Sequence, residues 1–380
     1  MIIPGLTSAE IAALHRAAEL AGHGAATALP NPVVGCVLIA PGGWTVGEGH
    51  HERPGGPHAE VVALTAAGSR ATGATAVVTL EPCNHAGRTG PCSEALIAAG
   101  ISRVIVAVRD PWPPAAGGMH RLRAAGVQVV DLPGLLADPG LATDPQRKKW
   151  AAGIEAAEDV NRVWLGAMRQ DRPFVTWKVG MTLDGRVAAA DATSRWITSP
   201  ESRADVHELR ARIDTIMVGV GTVLADDPQL TVRDASGKPV GPQPLRVVLD
   251  SRSRTPARAR VLDATAETWV ATAESAGAGP DGRVDPGGVL AELWRRGRRH
   301  VLLEGGPHLA AAFLDAGLVD EVVAYLAPTL LGAGQPALAG GRVGTLADAH
   351  RAELVDVARL GPDLRLRYRI TDARRAHHLP

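Results

Sequence analysis

The first part of the chain alternates between short apolar runs and amphipathic segments. Residues 8–21 have apolar side chains at helical spacing, and Thr7 with Glu10 forms a capping-box pattern at their start. In chain order the pattern predicts a helix at 8–21, strands at 33–39 and 45–49, a helix at 58–67, a strand at 75–80, a helix at 93–99, and strands at 104–108 and 127–130. This alternation predicts a layered α/β domain.

A second series of elements follows a proline- and glycine-rich stretch at 132–149, which we interpret as a connector without regular structure. The later predicted elements are a helix at 154–168, strands at 174–179, 215–218 and 301–303, and a helix at 308–316. A chain of 380 residues exceeds the usual size of one core. We predict domains at 1–147 and 148–370, and a tail at 371–380 without regular structure.

The charge balance limits the partners that the chain is expected to bind. Acidic and basic residues are equal in number, so the formal net charge is +0 and no overall field favours nucleic acid or anionic membranes. No apolar run reaches the roughly 18 residues of a membrane span. With only three cysteines and no signal peptide, we expect a cytoplasmic protein with small-molecule partners.

Four residues in the first domain have the side chains of a zinc hydrolase. His58, Cys83 and Cys92 supply one imidazole and two thiols, a donor set that suits Zn²⁺. Three protein ligands leave a fourth position for water, whose pKa the metal lowers from about 15.7 to roughly 7. Glu60, two residues after the histidine, can move protons as in H-x-E deaminases. The pattern therefore predicts hydrolytic deamination at zinc.

Two simpler explanations of these residues remain open. His85 could complete a closed structural Cys₂His₂ site, or the two cysteines could form a disulfide or simply be buried. An open site is favoured because Glu60 can then transfer protons at the bound water. It is also favoured because Cys83 follows a predicted buried strand, and α/β sheets bind ligands at the ends of such strands. The eight residues between the cysteines are polar and basic, and Arg88 among them could bind a phosphate.

Motifs in both halves resemble the bifunctional riboflavin-biosynthesis deaminase/reductase family. In the first half they are PNPVVGC at 30–36, HAEV at 58–61, TLEPCNH at 79–85 and GRTGPC at 87–92. In the second half they are MTLDGR at 181–186, WITS at 196–199, GTVLADDP at 221–228 and EGGP at 304–307. The matches extend from about residue 14 to about residue 366.

The resemblance implies an N-terminal cytidine-deaminase-like three-layer domain and a C-terminal dihydrofolate-reductase-like domain. The implied activities are zinc-dependent deamination of a phosphoribosylaminopyrimidine and NADPH-dependent reduction of its ribosyl group, in a homodimer or higher homo-oligomer. In the deaminase half it places Asn31, His51 and Arg88 on the substrate, with Glu60 catalytic. The implied reductase substrate residues are Lys178, Asp184, Ser194, Arg210, Leu230, Arg233 and Glu304. The implied NADPH residues are Gly180, Trp196, Thr222, Asp226, Ser251, Gly306, Pro307, His308, Leu309, Ala310, Ala311 and Ala312.

Physical arguments support parts of this assignment. Arg210 and Arg233 suit a phosphate, because guanidinium groups form paired hydrogen bonds with its oxygens. Glycine turns after the strands at 215–218 and 301–303 could face one dinucleotide from neighbouring strands, although neither has the G-x-G-x-x-G pattern. Two alternatives remain: a zinc deaminase of another nucleoside or base with an altered reductase half, and a non-enzymatic zinc-stabilised binding protein.

Overall fold

The first helix begins where the capping-box pattern predicts it. Thr7 Oγ1 accepts a hydrogen bond from the backbone N–H of Glu10, and Glu10 Oε2 accepts one from the backbone N–H of Thr7. These two bonds satisfy N–H groups that have no partner within the helix. The computed structural model describes residues 6–85, 90–141, 147–234 and 236–371. Contacts divide the chain into two units, Met1–Arg169 and Gln170–Pro380.

The first unit contains a five-stranded sheet with helices on both faces. Its helices are α1 (Ser8–Gly22), α2 (Ala59–Ala67), α3 (Cys92–Ala98), α4 (Gly118–Ala124), α5 (Leu132–Ala137), α6 (Arg147–Val160) and α7 (Arg162–Gln170). Its strands are β1 (Gly35–Ile39), β2 (Thr45–His50), β3 (Thr75–Val78), β4 (Arg103–Val106) and β5 (Gln128–Asp131). The strand order is β2-β1-β3-β4-β5, with β1 antiparallel to β2 and β3, and with β3, β4 and β5 parallel.

Alternating side chains of this sheet enter two separate cores. Val37 and Ile39 pack in the same core as residues of α1, α6 and α7, whereas Cys36 and Leu38 pack with residues of α2, α3 and α4. This period of two is the pattern of a sheet buried on both faces. The result is three layers. The strands and helices predicted before residue 132 are all present, with ends that differ by no more than two residues.

The unit boundary lies later than the predicted cut at 147/148, because α6 packs against α1. Trp150 and Ile154 of α6 are buried in the core that also contains Leu14 of α1. A Cβ on Gly153 would lie 2.2 Å from Leu14 Cδ2, so the two helices are in close contact there. The helix that was assigned to the second domain therefore belongs to the first unit.

The predicted connector at 132–149 is wrong over most of its described length. α5 begins at Leu132, with Asp131 as its N-cap residue, and the backbone N–H of Gly134 donates to the Asp131 side chain. Pro133 lies in the first helical turn, where a missing N–H costs nothing. A short 3₁₀ helix follows at Pro139–Leu141, and residues 142–146 lie outside the described residues.

The predicted helix at 154–168 is also wrong, since α6 and α7 are separate helices. Asn161 lies between them, and its side chain is buried. Its Oδ1 accepts from the backbone N–H of Val33 at 2.9 Å, and its Nδ2 donates to the backbone carbonyl of Val33. Those two hydrogen bonds attach the junction of the helices to the segment before β1.

The second unit contains an eight-stranded mixed sheet and a two-stranded sheet. Its helices are α8 (Pro200–Arg210), α9 (Val220–Asp226), α10 (Ala273–Ala276), α11 (Pro286–Arg295) and α12 (Pro307–Asp315). Its strands are β6 (Phe174–Thr182), β7 (Arg186–Ala188), β8 (Thr215–Gly219), β9 (Leu245–Leu249), β10 (Thr268–Ala271), β11 (His300–Leu303), β12 (Glu321–Ala327), β13 (Gln335–Pro336), β14 (Ala352–Leu360) and β15 (Asp363–Ile370).

The order in the large sheet is β10-β9-β8-β11-β6-β12-β15-β14. Strands β10 to β12 in this order run parallel, so their carboxyl ends meet at one edge of the sheet. Among the described residues, no helix is long and apolar enough to cross a membrane. Apart from Thr371, the predicted tail lies outside the described residues.

Candidate zinc centre and reductase site

The three predicted zinc ligands converge in the first unit. His58 is the N-cap residue of α2, Cys83 lies in the loop after β3, and Cys92 is the first residue of α3. The Nδ1 atom of His58 lies 3.1 Å from Cys92 Sγ and 3.5 Å from Cys83 Sγ. All three ligand atoms lie within 4.8 Å of one another. One imidazole and two thiols at this spacing fit a tetrahedral zinc ion with one further position open.

Two glycines allow the close approaches that position these ligands. A Cβ on Gly49 of β2 would lie 2.4 Å from the carbonyl oxygen of Ala59, in the first turn of α2. A Cβ on Gly118 would lie 1.7 Å from the carbonyl oxygen of Pro82, next to Cys83. Real Cβ atoms do not approach backbone this closely, so the packing around His58 and Cys83 depends on glycine at these positions.

The two simpler explanations of the cluster do not match the described residues. His85 is not part of the group of converging ligand atoms; its ring lies edge-on to Trp112, with centroids 5.8 Å apart. Cys36, Cys83 and Cys92 are all free thiols, so none of them forms a disulfide. The donor set is therefore three residues, which is the composition of an open zinc site.

Electrostatic interactions within the cluster favour a thiolate on Cys83. A hydrogen bond with the Cys92 thiol and another with His58 lower the pKa of Cys83 to about 4. Zinc binds thiolates and not thiols, so this arrangement suits metal binding. Glu60 is 3% exposed and close enough to hydrogen bond with Cys92. Burial raises the pKa of the Glu60 carboxyl above its usual value, which is the direction required of a group that gives up and takes back a proton.

Two of the predicted deaminase substrate residues, Asn31 and His51, are hydrogen-bonded to each other. Asn31 Nδ2 lies 3.1 Å from His51 Nε2, and His51 Nδ1 lies 3.1 Å from the carbonyl oxygen of Pro57. A carbonyl can only accept, so Nδ1 must carry the ring proton and Nε2 accepts from the Asn31 amide. Burial lowers the pKa of His51, which keeps the ring neutral. Asn31 Oδ1 is then the atom available to accept from a ligand.

Arg88 lies outside the described residues. Near the same cluster, Asp110 was not selected from the sequence, although it follows β4 at the carboxyl end of the sheet, where ligand-binding residues concentrate. Burial, followed by the nearby Glu81 carboxylate, raises the pKa of Asp110 to about 6. Glu81 itself accepts from the backbone N–H groups of Gly117 and Met119, and so holds the loop after β4 against Pro82 and Cys83.

In the second unit, four of the predicted substrate residues form one charged cluster. Arg210 Nε and Nη2 donate to the two carboxylate oxygens of Glu304 at 2.7 and 2.8 Å, and Lys178 Nζ lies 3.6 Å from Glu304. Burial would raise the pKa of Glu304, but Arg210 and Lys178 outweigh it and lower the pKa to about 2. Arg233 Nε donates to Thr231 Oγ1; among the described residues Arg233 forms no ion pair, although the Asp263 carboxylate lies near enough to act on its charge. The cluster therefore has excess positive charge.

The two glycine turns expected to face a dinucleotide follow neighbouring strands. β8 and β11 are paired in parallel, with Met217 opposite Leu303. The Leu309 side chain lies near both turns: its Cδ2 would be 3.6 Å from a Cβ on Gly219 and 2.8 Å from one on Gly305. Gly306 is the N-cap residue of α12 and Pro307 its first residue, so this helix points its free N–H groups at the same edge of the sheet. Thr222 lies in the first turn of α9, which begins directly after β8.

The remaining predicted reductase residues have varied surroundings. Ser194 Oγ donates to Asp226 Oδ1 at 3.4 Å, so two of them meet. Trp196 is 70% exposed, with the Arg203 guanidinium 4.4 Å from its ring centroid. Leu230 is buried and has a φ of 52°, a conformation that is rare for a bulky residue. Gly180 pairs with Tyr325 between β6 and β12.

The side chains of two predicted ligand-binding residues are engaged within the protein. Asp184 accepts from Thr182 Oγ1 and from the backbone N–H groups of Leu331 and Gly332, and these bonds lower its pKa to about 2. These contacts attach Asp184 to the loop at Leu331 and Gly332, and its role at the reductase substrate stays a prediction. Ser251 Oγ accepts from the backbone N–H of Val284.

Comparison with known proteins gives both halves a family. Residues 8–108 match the model of the cytidine and deoxycytidylate deaminase zinc-binding region, and residues 173–366 match the RibD C-terminal domain. The chain is 42% identical to riboflavin biosynthesis protein RibD of Escherichia coli, covering 92% of this chain and 96% of that protein. It is 45% identical to RibD of Mycobacterium tuberculosis, covering 90% and 91%.

Solved structures agree with this result. RibD of Acinetobacter baumannii has a TM-score of 0.81 at 38% identity, covering 96% of this chain and 99% of that one. A Thermotoga maritima protein described as a diaminohydroxyphosphoribosylaminopyrimidine deaminase/5-amino-6-(5-phosphoribosylamino)uracil reductase has a TM-score of 0.79 at 30% identity, covering 95% and 99%. These matches confirm the predicted α/β class and the cytidine-deaminase-like first domain, and they identify the second domain as a RibD C-terminal domain.

The fold and the site thus define a zinc-dependent deaminase domain joined to a reductase domain. The chain belongs to the RibD family of riboflavin biosynthesis proteins, as its identity to the family over most of its length shows. It is a bifunctional deaminase and reductase, as the motifs in its sequence predict.

Proposed function

We propose that the first domain hydrolytically deaminates a diaminohydroxyphosphoribosylaminopyrimidine, and that the second reduces the resulting 5-amino-6-(5-phosphoribosylamino)uracil with NADPH. The two substrates are those in the description of the Thermotoga maritima relative. The observation that carries the proposal is the convergence of His58, Cys83 and Cys92 beside the buried Glu60 carboxyl. A reductase domain in the same chain explains why the deaminated product should be reduced next.

In the deaminase half, each residue has a separate task. His58, Cys83 and Cys92 would hold zinc, which supplies the Lewis acidity that turns water into a nucleophile near neutral pH. Glu60 takes one proton from that water and delivers it to the ring nitrogen, and then moves the second proton of the attacking oxygen to the departing amino group. The exocyclic C–N bond breaks as a C–O bond forms, so one water is consumed and one ammonia is released.

Asn31 orients the ring for this attack. Because His51 Nε2 accepts from the Asn31 amide nitrogen, the amide cannot rotate without losing a hydrogen bond, and Oδ1 is held as an acceptor. A pyrimidine edge that carries an N–H or amino donor matches this acceptor. The neutral His51 ring is the support of Asn31 and does not itself need to exchange a proton.

In the reductase half, the arginines and the glycine turns bind different phosphates. Arg210 and Arg233 bind the substrate phosphate. Glu304 accepts from Nε and Nη2 of Arg210 and the Thr231 carbonyl accepts from Nη1, which leaves one N–H on each terminal nitrogen of Arg210 for the phosphate. The turns after β8 and β11 and the start of α12 bind the dinucleotide phosphates. NADPH would supply a hydride to the ribosyl C1′; the C1′–O4′ bond breaks, the ring oxygen takes up a proton, and the sugar opens to a ribityl chain.

The test of the proposal is chemical and uses the purified full chain with zinc. The wild type should release ammonia from the diamino substrate and oxidise NADPH when the deaminated product is supplied. Glu60→Gln should retain zinc and should still reduce the deaminated product, but its rate of ammonia release should fall by a factor of about 10² to 10⁴. A fully active Glu60→Gln would contradict the deaminase mechanism, and no NADPH oxidation by the wild type would contradict the reductase assignment.

We also infer a homodimer and a reducing, cytoplasmic location. β14 lies at the end of the large sheet, and its Leu354 and Val357 are 50% and 51% exposed, so pairing with a second copy would cover an apolar edge. Light scattering should give a dimer for the wild type and a monomer for Leu354→Glu with Val357→Glu; a monomeric wild type would contradict this.

The inferred cytoplasmic location rests on the cysteines. Free thiols at a zinc site need reducing conditions.

A further inference from the structure

Trp196 is an exposed indole side chain that an arginine holds in place. It is 70% exposed, and the Arg203 Cζ atom lies 4.4 Å from the centroid of its ring. A guanidinium group within about 6 Å of an indole ring is attracted to the ring electrostatically. Arg203 Nη1 also donates to the backbone carbonyl of Thr198 at 2.7 Å. One side chain therefore fixes both the ring of Trp196 and the backbone that follows it.

Arg203 can do this because the start of α8 is itself fixed. Helical side chains tilt towards the N-terminus, so Arg203, near the start of α8, reaches back to residues 196–198. Ser199 is the N-cap residue, and its Oγ accepts from the backbone N–H of Ser202. The buried Asp363 carboxylate accepts from the backbone N–H of Ser199 and from the Ser202 hydroxyl at 2.7 and 2.6 Å. The helix start thus gives Arg203 a rigid base.

The backbone before Trp196 is attached to α9. Ser194 Oγ donates to Asp226 Oδ1 at 3.4 Å, and Arg195 Nη2 donates to the Asp226 carbonyl at 2.6 Å. Arg195 Cζ is 6.0 Å from the Trp196 ring centroid, so Arg203 has the closer contact with the ring. Asp226 is the last residue of α9, which begins directly after β8. Trp196 is therefore anchored near the glycine turn that follows β8.

The same segment also contacts β6. In the large sheet β11 lies between β8 and β6, and its last residue, Leu303, is opposite Trp177. Gly180 lies beyond Trp177 on β6, and a Cβ there would be only 3.2 Å from Thr198 Cγ2. The segment at 194–198 thus contacts the strands on either side of the turn after β11, or the helix that follows one of them. Trp196 lies beside the two turns that we propose bind the dinucleotide.

NADPH has the chemistry that this indole suits. Its nicotinamide and adenine rings are planar, and aromatic rings stack favourably on one another when they are offset. A ring that is already held in one orientation binds more tightly, because ordering a mobile side chain on binding costs free energy. The contact with Arg203 provides this order before the cofactor binds.

We propose that Arg203 is a positioning residue for NADPH, holding the indole of Trp196 so that its exposed surface stacks on a ring of the cofactor. The inference rests on the proposed reductase function and adds a residue that the family motifs did not select. Arg203 acts through Trp196 and does not touch the carbon that gives or receives the hydride. Its effect is therefore on cofactor affinity and not on the rate of hydride transfer.

Two substitutions and their combination isolate the contact. Arg203→Met keeps most of the aliphatic side chain and removes the guanidinium, and Trp196→Leu removes the indole. If Arg203 acts through the ring, it has nothing to position once Trp196 is replaced, so the two losses should not add. Arg212→Met is the matched control, because Arg212 is exposed and lies just after the other end of α8. Thermal unfolding shows whether each variant retains the fold.

The Kd for NADPH is measured from its fluorescence on binding to the full chain, and KM and kcat are measured from NADPH oxidation. Arg203→Met should raise the Kd and the KM for NADPH by about 3- to 30-fold, which corresponds to the roughly 0.6–2 kcal/mol of a cation–π contact. Its kcat and its KM for the deaminated substrate should change by no more than about twofold. In the Trp196→Leu background, Arg203→Met should change the Kd by less than about twofold.

Other results overturn the inference. These are an unchanged Kd in a folded Arg203→Met, losses that add in the double variant, and an equal rise of KM for NADPH and for the deaminated substrate. Wild-type binding and oxidation of NADPH test the underlying function separately. If the wild type does both and Arg203→Met behaves like Arg212→Met, only the role of Arg203 fails; if the wild type does neither, the proposed reductase function fails.

Discussion

The Arg210 guanidinium and the Glu304 carboxylate form a two-point ion pair, with N···O distances of 2.7 and 2.8 Å. Their side chains are only 12% and 9% exposed, so neither charge is well solvated. The pair fixes the plane of the guanidinium and directs its remaining N–H groups. Glu304 is therefore a positioning residue for the arginine that we propose binds phosphate.

Removing one partner of this pair should destabilise the second unit. Glu304→Gln leaves Arg210 buried with reduced compensation, and we expect a loss of roughly 3–5 kcal/mol in the free energy of unfolding of the second unit. Arg210→Met should cost a similar amount, and the double variant should cost less than the sum of the two. Urea unfolding measures all three. Additive losses would show that the pair does not act as a unit; zinc content is the control that the first unit is intact.

The same pair predicts a pH dependence of stability. The pKa of Glu304 is lowered from its ordinary 4.5 to about 2, so its stabilising effect is fully present above about pH 4.5. As the pH falls from 4.5 towards 2, the unfolded chain takes up the proton first and this stabilisation is lost. The stability difference between the wild type and Glu304→Gln should therefore be constant near neutral pH and shrink below 4.5. A difference that grows on acidification would contradict the assignment.

Zinc binding should require two of the three cysteines. Cys83→Ser and Cys92→Ser should lose bound zinc and ammonia release, because each removes a thiolate ligand. Cys36→Ala is the matched control: Cys36 is also buried and free, but it is not part of the ligand group, so its variant should keep zinc. Elemental analysis of purified protein measures this. NADPH oxidation with the deaminated substrate should persist in every variant; zinc retention by Cys92→Ser would disprove the ligand set.

Asn31 should contribute to substrate affinity without affecting the metal. Asn31→Ala removes the Oδ1 acceptor and leaves His51 Nε2 without its donor, so we expect kcat/KM for deamination to fall by about 10- to 100-fold. Ammonia release and zinc analysis on one preparation separate substrate binding from metal loss. His50→Ala is the comparison, since the described hydrogen bonds do not include the His50 side chain; an equal loss in both variants would argue against ring recognition by Asn31.

The zinc cluster could be predicted from the sequence because its ligands lie at the starts of helices and after a strand, which the sequence pattern indicates. His58 caps a helix, Cys92 begins one, and Cys83 follows a buried strand. Before residue 132 the predicted strands and helices also agree with the structure to within two residues, whereas β6 extends three residues past its predicted end and α8 and α11 are not predicted. These features depend on local patterns, which a single sequence contains.

Features that depend on distant contacts could not be predicted. Arg210 and Glu304 are 94 residues apart, and Asp184 and Gly332 are 148 apart, so neither pairing has a local signal. The contact boundary after Arg169 differs from the predicted cut at 147/148, which follows the family resemblance, because Trp150 and Ile154 of α6 pack with Leu14 of α1. The prediction of a connector at 132–149 is wrong because it treats Pro133 as a helix breaker, although proline is accepted in the first turn of a helix.

The central claim is that two reactions occur in order on one chain. The most direct measurement follows NADPH absorbance and ammonia together after the diamino substrate is added to zinc-loaded protein. The account predicts that the wild type releases ammonia first and then oxidises NADPH, and that Glu60→Gln oxidises NADPH only when the deaminated compound is supplied. NADPH oxidation by Glu60→Gln at the wild-type rate, with the diamino substrate alone, would contradict it.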